Sequence, residues 1–479
     1  MALIASFLFN AVANFALGLL LARYLGPQAF GVFAVAMAGA GALAAPALDW
    51  LRHAGTRFYS ARSRTEAPEV RATLDAAVAA IAGALLTGAA ALALFAPAVI
   101  HDPGVAALAL VSCALGGLFD YATALMRARF MQRDYAGLVI LKNLLTLVPM
   151  PVAAVLTGDP RIVLAAGCVG QAVCLAVAVI RLADPGVRLA LVDKGLLRRF
   201  AVYGMPLTMA GGLAMVQAFY NRGALASLAG YAEAGRFALA YDIGVRLVAV
   251  TAMALDVLLF QLAVRAEAEG GRAAGLGQVA RNLGTVVALL APVTAGYALV
   301  LHPFESVFIA ADFQGAFAAY SLALLPGLAA WAFMQFGLSP AFQITGSTLP
   351  MAGPNLLALA INVAMGFVLA PQMGPIGLAH AFSIGMIAGL ASAAGLVRWR
   401  APIDVPWRTV AGALVCSAAM AAAVLAARQA FPERLSEGWT ALAGSAAIGG
   451  AVYLGLAFAF DLAGGRSFAL ARLRRRPAP

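Results

Sequence analysis

The chain has 479 residues, 63% of them hydrophobic and 11% charged, with a mean hydropathy of +0.91. A soluble domain is nearer half apolar and a quarter charged, so a water-soluble fold is excluded and a polytopic membrane protein is implied. The net charge of +11 would suggest nucleic acid for a soluble chain. In a bilayer it reads as orientation instead, and no nucleic-acid partner is expected.

A helix crosses the bilayer with about 20 apolar residues. Fourteen such runs are predicted, roughly 2–22, 30–48, 74–97, 105–126, 136–157, 162–182, 200–221, 236–257, 283–302, 318–338, 352–370, 378–397, 409–427 and 439–461. The expected fold is all-α, without a soluble domain. The first run has no basic lead and the length of a full span, so it is read as a span and not as a cleavable signal. Two charged stretches, LRHAGTRFYSARSR (51–64) and DPGVRLALVDKGLLRRF (184–200), mix apolar and basic positions like helices lying on the membrane surface. The tail ARLRRRPAP is a basic patch expected against anionic headgroups. Cys113, Cys168, Cys174 and Cys416 lie in apolar runs with no metal-ligand spacing to His53, His101, His302 or His380, and read as small buried thiols.

With the N-terminus inside, the loops after even-numbered spans and the tail hold 24 basic residues against 6 in the opposite loops. This bias puts both termini in the cytoplasm. Residues 21–36, LARYLGPQAFGVFAVA, match residues 225–240, LASLAGYAEAGRFALA, at seven of sixteen places, both glycines included. Each stretch joins the first and second spans of a half. Two six-helix bundles in parallel pseudo-repeat follow: residues 1–183 and 200–397, joined by a cytoplasmic linker 184–199. Two extra helices and the basic tail occupy 398–479.

Four places resemble the polysaccharide transporter family, which includes the O-antigen flippases, in the multidrug/oligosaccharidyl-lipid/polysaccharide flippase superfamily. LLARYLGPQAFGVFAVAMA resembles its first outer turn, and ALMRARFMQRDYAGLVILKN (124–143) its span 4–5 passage. FAVYGMPLTMAGGLAMVQAFYNRGAL (200–225) resembles span 7, and VLAPQMGPIGLAHAFSIG (368–385) the span 11–12 turn. Where members often carry an acidic residue before Arg at the end of span 7, this chain has Asn221-Arg222. The chain also starts almost directly in its first span, so a short cytoplasmic lead is expected to be missing.

The resemblance implies a two-lobed bundle whose central cavity opens alternately inward and outward, in the bacterial inner membrane. The implied cargo is an undecaprenyl-diphosphate-linked oligosaccharide for surface polysaccharide or lipopolysaccharide synthesis. A polysaccharide polymerase and glycosyltransferases are its implied associates. No cofactor is expected; coupling to H+, Na+ or the membrane potential is left open.

Charges inside spans tend to face a cavity or a partner. Lys142, in span 5 beside Asn143, either snorkels to the interface or attracts the cargo's diphosphate. Arg246 lies mid-span 8 with Asp242 one turn earlier on the same face. The two form a structural pair, or a cavity-facing cation beside an ion-coupled carboxylate. Asp120, near the inner end of span 4, pairs with Lys142 or is solvated. Asp49 and Arg52, at the inner end of span 2, are interfacial or functional. Asn14 shares a face of span 1 with Asn10, for interhelical bonds or sugar contact. Asn355, Asn362 and His380 carry weaker signals, and prolines such as Pro206 and Pro326 are expected to kink spans. Two other classes stay open: an ion-coupled drug or metabolite antiporter of the same fold, and a membrane glycan polymerase or ligase. An enzyme would need a larger extramembrane loop for its catalytic groups than any found here.

Overall fold

The computed structural model describes residues 2–96, 100–184, 186–345, 349–464 and 466, with the side chains of 2–8, 61, 210 and 249–258 left aside. Every described element is helical. In chain order they are α1 (Ala2–Phe58), α2 (Ala61–Glu66), α3 (Pro68–Phe95), α4 (Pro103–Ala128), α5 (Gln132–Leu147), α6 (Pro149–Thr157), α7 (Pro160–Arg181) and α8 (Lys194–Ala229). Then come α9 (Tyr231–Phe308), α10 (Ala316–Ala332), α11 (Ser339–Ile344), α12 (Ala352–Met373) and α13 (Ile376–Arg400). The last are α14 (Trp407–Ala430), α15 (Pro432–Leu435) and α16 (Gly438–Ala459). Among the described residues eleven helices are long and apolar enough to cross a membrane, or twelve if the bent pair Lys194–Met209 and Gly211–Ala229 counts as one span. This is a multi-pass membrane protein. The fourteen expected spans emerge when α1 is divided at its break at Gly26 and α9 at its break at Gly271. The basic tail 471–479 lies outside the described residues.

Asp-Pro pairs open two of the helices. Asp102 and Asp159 stand at the N-caps of α4 and α7 and accept from the amides of Val105 and Arg161, while Pro103 and Pro160 take the first helical position, where no amide is needed. Arg161 then reaches Asp102 at 3.1 Å, tying the two helix starts together. Burial alone would raise the Asp102 carboxyl, but the Val105 amide and the Arg161 guanidinium outweigh it and hold the group below the usual carboxylate range.

The chain packs as two compact units, Met1–Leu239 and Ala240–Pro479. In the first, Trp50 and Leu51 of α1, Leu74 of α3, Phe119, Leu125 and Met126 of α4 and Phe200 of α8 form one apolar core. The repeated stretches explain themselves here. Gly26 (φ 71, ψ 171) and Gly230 (φ 87, ψ 168) share a conformation that a side chain resists. Five residues on, Gly31 and Gly235 bring two backbones together. A Cβ on Gly31 would lie 1.7 Å from the Tyr231 carbonyl oxygen, and one on Gly235 would lie 2.3 Å from that of Pro27. The two copies of the turn pack against each other.

The two stretches expected as surface helices are arranged otherwise. Residues 51–58 prolong α1, and a Ser60/Ser63 capping box then starts the six-residue α2. Residues 186–193 hold only a 3₁₀ turn, Leu189–Leu191. The reason is electrostatic. The Asp184 carboxylate is buried, accepts from the Tyr59 hydroxyl at 2.6 Å, and is ringed by Arg64, Arg71 (3.5 Å) and Arg129 (3.6 Å). Asp193 caps α8, and its amide donates to the Thr73 hydroxyl at 3.0 Å. A segment pinned at both ends in this way has no free length to coil.

In the second unit the core joins Leu283 and Val287 of α9, Met334 and Leu338 of a π-helical turn, Phe342 of α11, Val397 of α13 and Ala413 of α14. The appended helices are held by more than packing. Arg428 of α14 donates to the Leu299 carbonyl, and the Tyr453 hydroxyl of α16 to that of Ala288.

Candidate functional site

The first unit contains a polar cavity of about 170 Å³. Helix α1 supplies Asn10 and Arg52; α4 supplies Phe119, Asp120, Thr123 and Arg127; α5 supplies Tyr135, Val139 and Lys142. Helical spacing brings them together, since 120, 123 and 127 share one face of α4, and 135, 139 and 142 one face of α5. Helix α1 runs on past Asp49 and Arg52 to Phe58.

Three cations and two carboxylates meet here. Arg52 bonds Asp49 at 3.1 Å, both half-buried. The Lys142 ammonium sits 4.7 Å from the centre of the Phe119 ring, and the Arg127 guanidinium 5.4 Å from that of Tyr135. An aromatic face steadies a cation without neutralising it, so both keep charge for an anionic ligand. Among the described residues no ion pair joins Asp120 to Lys142. Asp120 is accessible and yet lies among Lys142, Arg52, Asp49 and Arg127, as a cavity-lining side chain does.

Behind the cationic wall stands an asparagine cluster. The Asn14 amide donates to the Asn10 carbonyl at 2.7 Å and to the Asn143 side chain at 3.4 Å. The buried Asn143 donates to the Asn10 side chain at 3.0 Å and the Val139 carbonyl at 2.8 Å. Asn14 therefore fastens α1 to α5 next to Lys142, and it is Asn10 that reaches the cavity.

Of the residues singled out from sequence, Arg52, Lys142, Asp49 and Asp120 come together, with Asn14 one layer behind. Arg246 and Asp242 belong to the second unit, one turn apart on α9 and both half-buried. Arg127, Thr123, Tyr135 and Phe119 were missed. For Thr123 and Arg127 the signal was the i+3 and i+7 spacing from Asp120, hidden because Arg127 lies at a span's end, where arginine is ordinary; Phe119 and Tyr135 carried no signal of their own.

No family model matches the sequence, and no curated protein matches it. Solved structures do match the fold. A structure of the lipid II flippase MurJ in an inward closed conformation superposes with a TM-score of 0.74 over 96% of this chain and 98% of that one, at 12% identity. An inward-facing multidrug resistance MATE family transporter of the MOP superfamily gives 0.64 over 82% and 94%, at 16% identity. A MOP superfamily transporter from Pyrococcus furiosus gives 0.55 over 83% and 93%, at 14% identity. The chain thus has the fold these proteins share.

Proposed function

We propose that this protein is a flippase that carries a polyprenyl-diphosphate-linked oligosaccharide from the cytoplasmic to the outer leaflet of the bacterial inner membrane, by alternating access. The observation that carries the proposal is the cavity with three cations, two of them held on aromatic rings. A diphosphate needs positive charge to leave water. Opposed unit charges 4 Å apart interact by about 4 kcal/mol at an effective dielectric near 20. Asp49 and Asp120 compete for the same cations, which lets the cargo leave as well as enter. Asn10 and Thr123 offer hydrogen bonds to sugar hydroxyls. The full-length likeness in fold to a lipid II flippase supports the same cargo class.

In the second unit Arg246 is the proposed further cargo contact, and Asp242 its partner or the coupling carboxylate. An inside-negative potential favours outward movement of a dianion by about 2.3 kcal/mol per charge per 100 mV, so H+ or Na+ coupling adds to a field that already points the right way. With both termini in the cytoplasm, the cavity lies toward the cytoplasmic side, where such cargo is made. Its use is surface polysaccharide synthesis, alongside glycosyltransferases and a polymerase.

The likeness to MATE transporters favours a second reading, ion-coupled export of drugs. A cavity richer in cations than in carboxylates is a poor seat for the cationic compounds that such export usually handles. Deleting the gene separates the two. The flippase reading expects loss of surface polysaccharide with undecaprenyl-linked repeat units accumulating inside. Normal surface glycan with new drug sensitivity would overturn it.

A further inference from the structure

A second cavity, in the other unit, has the opposite character. It is an open groove of about 540 Å³ between the start of α12 and the end of α13, within the roughly 300–1,000 Å³ usual for small-molecule sites. Gly353, Pro354 and Leu357 form one wall, and Gly395, Leu396 and Arg400 the other. Both glycines face open space, with nothing within 4 Å of a Cβ placed on them. The missing side chains are what make the groove.

Two features say what fills it. The groove continues into an exposed stripe on α12, made of Leu356, Leu357, Ala360, Ala364, Phe367 and Val368. A wholly apolar, uncovered stripe on a membrane span faces lipid tails. At 1.5 Å per residue it is about 18 Å long, slightly more than one leaflet of a hydrocarbon core about 30 Å thick. At the other end, Trp399 and Trp407 are 74% and 72% exposed, as expected of an aromatic belt at headgroup depth. Arg400 lies 4.8 Å from the Trp399 ring centre. Within residues 398–408, Arg398, Arg400 and Arg408 stand against the single carboxylate of Asp404. The carbonyl end of α13 adds only about half a negative charge, so this rim is net positive.

We propose that the groove is a binding site for one anionic phospholipid of the adjoining leaflet. One acyl chain lies between Gly353 and Gly395 and runs along the α12 stripe, and Arg400 holds the phosphate. The site is independent of the cargo reading, because none of its residues belongs to the cationic cavity. Bound there, the lipid fastens α12 to α13 at the interface.

The test is native mass spectrometry of the full-length protein released from nanodiscs of phosphatidylglycerol and phosphatidylcholine in equal parts, with thermal unfolding measured in parallel. Gly395→Leu adds bulk to the groove at a position whose Cβ meets nothing within 4 Å, and Arg400→Gln removes the charge at the surface, so both variants are expected to fold. The wild-type protein should retain phosphatidylglycerol over phosphatidylcholine by about fivefold, the size expected for one arginine near anionic lipid, and be stabilised by it. Arg400→Gln should keep a bound lipid but lose the preference, and Gly395→Leu should lose the retained lipid. Equal retention of both lipids by the wild-type protein, or an unchanged lipid count in Gly395→Leu, would overturn the proposal.

Discussion

Replacing Gly31 with alanine tests the packing of the repeated turns. The new Cβ would lie 1.7 Å from the Tyr231 carbonyl oxygen and 3.1 Å from the Gly235 amide nitrogen. Ordinary contacts begin near 3.5 Å, so the two backbones must part by roughly 1.8 Å, and a backbone oxygen cannot rotate away as a side chain can. Overpacking of this kind usually costs about 1–3 kcal/mol, and the upper end applies where backbone is the obstacle. Gly235→Ala meets the Pro27 oxygen at 2.3 Å and should be the milder change. The double variant should fall short of the sum, because one separation relieves both clashes. Gly41, in the same helix with nothing within 4 Å of its Cβ, is the control, since alanine there gains helix propensity. Thermal unfolding in detergent reads the series. Melting of Gly31→Ala at the wild-type temperature would refute the close approach.

Asp184→Asn should leave three arginines facing a neutral amide. Arg71 keeps Asp75 at 2.7 Å and Arg64 is partly exposed, so the loss should fall below the ~3–5 kcal/mol of a fully orphaned buried charge, seen as a lower melting temperature and faster trypsin cleavage near residue 188. Asp102 has a carboxyl held below its usual range, so its stabilising effect is complete above the unfolded value and is lost as pH falls through the folded one. Asp102→Asn should therefore flatten the acid side of the stability profile, and an unchanged slope would contradict this. Reporter fusions after residues 66, 132 and 190 should read cytoplasmic, and those after 102 and 159 external; a cytoplasmic reading at 102 would overturn the orientation. For the α9 pair, Asp242→Asn alone should keep some transport, whereas Arg246→Gln and the double variant should fail at normal membrane levels. Recovery in the double variant would make the pair structural and remove Arg246 from the site.

The fold was largely legible because a bilayer demands long apolar runs, and these survive any reading of their ends. The glycine pairs Gly26/Gly230 and Gly31/Gly235 were visible too, though not that one copy packs against the other, since nothing local in a sequence reports a distant neighbour. The surface-helix expectation for 184–200 holds only from Lys194, where α8 begins. Residues 186–193 hold only a 3₁₀ turn, while Asp184 is held by Arg64, Arg71 and Arg129, and no window of sequence contains them all. The same holds for the cavity. Lys142 and Asp120 stand out as charges inside spans, whereas Arg127 lies at a span's end, where arginine is ordinary, and only the fold puts it over the Tyr135 ring.

The central claim, outward movement of a diphosphate-linked glycan through the cationic cavity, is tested most directly in inverted membrane vesicles. Radiolabelled undecaprenyl-diphosphate-linked oligosaccharide is placed in the exposed cytoplasmic leaflet, and the label that becomes protected from an impermeant glycan-cleaving reagent is followed over time. Vesicles with the wild-type protein should protect the label. A variant carrying Arg127→Gln and Lys142→Gln should protect it at least about tenfold more slowly, the equivalent of 1.4 kcal/mol, at equal protein levels. Protection at the same rate in the variant, or none beyond that of vesicles lacking the protein, would contradict the account.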